Sequence, residues 1–153
     1  MQPLLDSQIS ILLSLLDDGV ISETDVVQWA DQQIESAPDA KSLPAWLLEL
    51  SLHGPEECRR RREFDLPWPA DLSFAERLAA RAERVDINSY ESLLTLARWA
   101  SRACMGDDIE DEAVAFGYQL DHLLDDCDKP NLAVELVREW LAGHPPLTET
   151  PGP

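Results

Sequence analysis

The sequence predicts an all-α protein, an irregular bundle of about eight short helices in a single domain. Three observations carry that expectation. Apolar residues recur at three- and four-residue spacing along nearly the whole chain. Residues suited to helix starts, such as Ser22, Pro44 and Ser73, stand directly before or at the head of those apolar stripes. No stretch alternates apolar and polar residues in the manner of a half-buried strand. At 153 residues, 44% of them hydrophobic, the chain has material for one core rather than two.

The elements follow in order. Ile9, Leu12, Leu13 and Leu16 mark a first amphipathic helix, stopped by Asp17-Asp18-Gly19. Ser22 with Asp25 resembles a capping box and opens a second helix bearing Val26, Val27, Trp29, Ala30 and Ile34. After a polar loop, Pro44 suits the first turn of a third helix with Trp46, Leu47, Leu50 and Leu52. Gly54-Pro55 breaks that helix and begins a short fourth one ending near Phe64. Leu66-Pro67-Trp68-Pro69 reads as an extended connector with its tryptophan packed inward.

Ser73 with Glu76 is a full capping box for a helix reaching about Arg84. Asn88 or Ser89 caps the next, whose apolar positions are Leu93, Leu94, Leu96, Ala97, Trp99 and Ala100. The longest helix is expected from Ile109 to Asp126, and the final one from Asn131 to Ala142. The helical domain therefore covers residues 1–142. Residues 143–153, with Pro145, Pro146, Pro151 and Pro153, read as a dispensable flexible tail.

Thirty acids against twelve bases give a formal net charge of -18. Such a surface repels phosphate, which argues against direct nucleic-acid binding. Cys58, Cys104 and Cys127 are far apart and form no C-x-x-C pair, so buried, reduced thiols are expected. No base precedes Lys41, and the longest apolar stretch, Ile9 to Leu16, is too short for a membrane span. A cytoplasmic protein is the expectation.

The charge is unevenly placed. Residues 1–40 carry acids and no base, as do residues 103–128, whereas nine of the ten arginines lie between them in residues 59–102. Some of Arg59 to Arg62 are expected to pair with the acidic helices. On the helix from Ile109, the 100° step puts Ile109, Ala113, Phe116, Leu120, Leu123 and Cys127 on a core stripe. Asp107, Asp111, Tyr118, Asp121 and Asp125 fall opposite, with His122 and Asp126 beside them. No base on this helix relieves their repulsion. One reading is a solvated face. The sharper reading is a docking surface for a basic protein partner, with Tyr118 as anchor and the carboxylates steering association.

Catalytic signatures are lacking. Asp107-Asp108-Ile109-Glu110-Asp111 has the form DDxxD of the isoprenoid synthases' magnesium site, but no second metal motif accompanies it. His122 has aspartates nearby but no second histidine within helical reach, so no metal and no cofactor are expected. The chain contains no Gly-x-Ser-x-Gly, Walker loop or dinucleotide-binding glycine pattern. The five tryptophans fall on apolar stripes and are expected in the core.

The stretch from Leu15 to Leu52, with Gly19-Val20-Ile21, Trp29-Ala30-Asp31 and Trp46-Leu47-Leu48-Glu49-Leu50, resembles a segment of small bacterial proteins. Some of these are similar to immunity proteins of polymorphic toxin systems. The resemblance implies a non-enzymatic immunity or inhibitor protein that covers a basic toxin or effector. The alternatives are an acidic DNA mimic or regulatory adaptor and, third, a small helical metal-dependent hydrolase. The sequence leaves the oligomeric state open.

Overall fold

A computed structural model describes residues 2–61, 65–104 and 111–144. Among the described residues there are eight α-helices and no strand, so the all-α expectation holds. Where the sequence suggests one helical domain over 1–142, backbone contacts gather the chain into two compact units, one running to Leu72 and one beginning at Ser73.

The first unit holds α1 (Gln2–Asp17), α2 (Glu23–Ser36), a 3-10 turn (Ala40–Ser42), α3 (Ala45–His53) and α4 (Pro55–Arg61). The capping box of α2 forms as its sequence requires: the Ser22 amide donates to Asp25 at 2.8 Å and the Asp25 amide donates to Ser22 Oγ at 3.2 Å. Gly54 takes φ +81°, and Pro55 opens α4 directly behind it. An L side chain is strained at that φ, so glycine permits the sharp corner between α3 and α4. Helix α2 packs on α1, α3 and α4. Ile9, Leu12, Leu13, Val26, Trp29, Trp46, Leu47 and Leu50 are all buried.

One expectation in this unit is corrected. The extended connector is present, and the Ala70 amide ties it to the Ser10 carbonyl of α1 at 2.8 Å. Trp68 does not pack inward, however, because its side chain is 67% exposed. Pro67 and Pro69 hold the backbone extended, so no helical stripe turns the ring toward the core. Leu52, counted as an apolar position of α3, is likewise exposed.

The second unit holds α5 (Phe74–Glu83), α6 (Tyr90–Ala103), α7 (Glu112–Asp121), a π-turn (His122–Asp126) and α8 (Pro130–Gly143). Ser73 and Glu76 form the expected capping box, and Ser89 caps α6 through the Ser92 amide. Leu78, Leu93, Leu96, Phe116, Leu120, Leu124, Val137 and Trp140 make one buried cluster. Helices α6 and α7 approach closely at Gly117, where an added Cβ would lie 3.1 Å from Ala100 Cβ.

The continuous helix expected to Asp126 is replaced by α7 and the π-turn, and its expected start at Ile109 lies outside the described residues. The Cys127 amide donates to the His122 carbonyl at 3.0 Å and the Lys129 amide to the Leu123 carbonyl at 2.8 Å. Tyr90 of α6 donates its hydroxyl to the Leu124 carbonyl at 3.0 Å, supplying a partner where the regular ladder is broken. Leu124 is the fully buried leucine of this turn, whereas Leu123 and Cys127 are only partly buried.

Residues 145–153 of the expected tail lie outside the described residues. Among the described residues, no helix is long and apolar enough to cross a membrane.

Candidate partner-binding surface

Helix α7 starts where Asp111 can cap it. The Asp111 carboxylate accepts from the amides of Ala113 at 2.9 Å and Val114 at 3.3 Å. Asp111 was expected as one of the docking carboxylates, but its Oδ1 is turned back onto its own helix. The reason is local: an aspartate at the N-cap meets unpaired amides before it meets a partner. Asp107 lies outside the described residues.

The rest of the expected face projects from α7 and the π-turn. Tyr118 is 36% exposed and has no hydrogen bond among the described residues. Asp121 is half-buried, while His122, Asp125 and Asp126 are exposed. Partial burial pushes the Asp121 carboxyl above its ordinary range, and the charges of Asp125 and Asp126 push it further. Arg98 of α6 acts in the opposite direction. The face is therefore not wholly base-free in space; helical periodicity sees only residues on the same helix, and Arg98 arrives from the neighbouring one.

The π-turn also makes an arrangement that sequence reasoning missed. His122 Nδ1 lies 2.9 Å from Asp126 Oδ2, and His122 Nε2 lies 3.2 Å from Cys127 Sγ. Cys127 was expected to be buried with Cys58 and Cys104, but only those two are. The His122–Asp126 pair is legible as an i, i+4 contact. The Cys127 contact spans five residues and needs the wider turn.

The central arginines take several roles. Arg59 forms a two-pronged contact with Asp17 of α1, at 2.5 and 3.1 Å, as expected of a base docked on an acidic helix. That contact raises the Arg59 guanidinium above its ordinary value. Arg60 and Arg61 instead pair with Glu57 on their own helix, and Arg62 lies outside the described residues. In the second unit, the Arg81 guanidinium lies 4.3 Å over the half-buried Trp99 ring, which Phe74 stacks against at 5.7 Å. Arg81, Arg98, Arg102 and Trp99 line a shallow basic groove. Trp29, Trp46 and Trp140 are core residues as expected.

Among the described residues, no group of three histidine, cysteine or acidic side chains is placed to hold a metal ion. No family model, curated protein or solved structure matches the chain.

Proposed function

We propose that this is a binding protein whose α7 face takes a basic protein partner, and that it acts as an immunity or inhibitor protein. The observation that carries the reading is the combination at Tyr118, Asp121 and Asp125. A partly exposed aromatic ring without a hydrogen-bond partner among the described residues shares a helix and its continuation with two carboxylates. Asp125 has no ion pair or hydrogen bond among the described residues, and Asp121 is held in an environment that disfavours its charge. A cationic surface placed against them would relieve that repulsion, and the ring would supply buried area.

The test is capture from a native-host lysate, using the wild-type chain and Tyr118→Ala/Asp121→Asn/Asp125→Asn as parallel baits. Wild type should retain a basic protein that salt elutes, and the triple variant should lose it. Equal retention by both baits removes this face from binding. Retention of an acidic protein or of a nucleic acid contradicts the basic-partner reading.

A further inference from the structure

Cys127, His122 and Asp126 form an arrangement whose chemistry the proposed docking at Tyr118, Asp121 and Asp125 does not require. With the Asp126 carboxylate as acceptor, the tautomer protonated at His122 Nδ1 turns the Nε2 lone pair to the thiol. A thiol beside a base, with a carboxylate orienting that base, is the arrangement that activates a cysteine nucleophile.

The fold produces it through one local device. In a regular α-helix, residues five apart point about 140° away from each other. The π-turn, closed by the Cys127 amide on the His122 carbonyl, brings both side chains within 3.2 Å. The other two thiols provide a contrast within the same chain. Cys58 and Cys104 are buried, and burial pushes the Cys58 thiol up, aided by the charges of Glu49 and Glu57. Cys104 Sγ faces the Ser101 carbonyl at 3.8 Å. Cys127 is partly exposed and has an imidazole at hand.

We infer that Cys127 is a nucleophilic thiol that exchanges with small cationic disulfides, with His122 as its base and Asp126 as a positioning residue. The Sγ proton passes to His122 Nε2, and the thiolate attacks one sulfur of the disulfide. A new S–S bond forms at Cys127 as the old one breaks. The departing thiolate then takes the proton from the imidazolium. One disulfide is consumed and one is made, so no further oxidant is required.

The cationic preference follows from the surroundings. Asp121, Asp125, Asp126 and Asp128 flank the turn, against Lys129 on the chain and Arg98 from α6. The balance is negative, which attracts a cation and repels an anionic reagent.

The experiment uses the full-length protein with two probes, cystamine and the anionic 5,5′-dithiobis(2-nitrobenzoate), and maps each modified cysteine by mass spectrometry. Cys127 should react first, and its rate relative to the same thiol in urea-denatured chain should be higher for cystamine than for the anionic probe. His122→Gln should slow the cystamine reaction at Cys127 by about tenfold or more. Asp126→Asn should slow it less, and Asp126→Glu should restore part of the rate, with thermal midpoints close to wild type throughout. A Cys127 rate no higher than in denatured chain overturns the inference. So does a His122→Gln variant that reacts at the wild-type rate or faster, because the imidazole would then only shield the sulfur.

Discussion

Residues 1–40 and residues 103–128 are alike in the sequence, each acidic and without a base, but their carboxylates meet different surroundings in the fold. In the first segment, Asp17 holds Arg59, Glu23 accepts from the Glu56 amide at 3.2 Å, Asp25 completes the Ser22 capping box, and Asp31 accepts from the Ser51 hydroxyl. Asp39 accepts from the Lys41 amide at 2.9 Å. In the second segment, Asp111 caps α7 and Asp126 orients His122, while Asp121 and Asp125 remain without an ion pair among the described residues. Carboxylates of a base-free run thus become internal structure where a helix cap or later chain supplies donors to them, and stay an open negative surface where neither does.

The comparison can be broken by disturbing the frame of the second unit. Gly117→Leu should have the largest effect, a loss of about 3 kcal/mol, because the side chain must enter space already filled by Ala100. Denaturant unfolding would measure it, and a midpoint equal to wild type would mean that α6 and α7 do not approach as described. Tyr90→Phe should cost about 1 kcal/mol by leaving the Leu124 carbonyl without its hydroxyl partner. Chemical denaturation of the variant tests that value.

Smaller effects of opposite sign should separate the two acidic segments. Asp17→Asn should destabilise by about 0.2–1 kcal/mol, a modest figure because both partners of the Arg59 contact are substantially exposed. Asp121→Asn should instead stabilise the protein at neutral pH. The Asp121 carboxyl is raised above its ordinary value of 3.8, so the folded state holds this proton more tightly than the unfolded chain does. Its contribution therefore falls as pH rises from 3.8 through the raised value. Thermal melts from pH 3 to pH 7 should show Asp121→Asn gaining on wild type as pH increases, and parallel curves would contradict this.

Much of the fold was legible because it rests on local rules. The Ser22 and Ser73 boxes, the Gly54-Pro55 corner and the stripes of α2, α3 and α6 are set by residues within a few positions of each other. The division at Leu72–Ser73 left a trace in the proline-bounded connector that precedes it. Trp68 was misplaced because tryptophan's usual burial was given more weight than the extended backbone its prolines impose.

The candidate site was half legible for a related reason. The 100° step places Tyr118 and Asp121 correctly while α7 lasts, but it assumes one continuous α-helix. The π-turn breaks that assumption, and with it the prediction for Cys127. Asp111 has a competing local use that a helical wheel does not weigh, namely the amides at its own helix start. Arg98 comes from another helix, and no single-helix pattern could place it near Asp121.

The most direct test of the account is the association rate constant with the captured basic partner, measured for two paired neutralisations. Asp17→Asn/Asp31→Asn removes carboxylates already engaged within the fold, and Asp121→Asn/Asp125→Asn removes those left open. The account predicts slower association and a flatter salt dependence for the second pair only, with the first pair associating at the wild-type rate. Equal slowing by both pairs, or no change from the second, would contradict it.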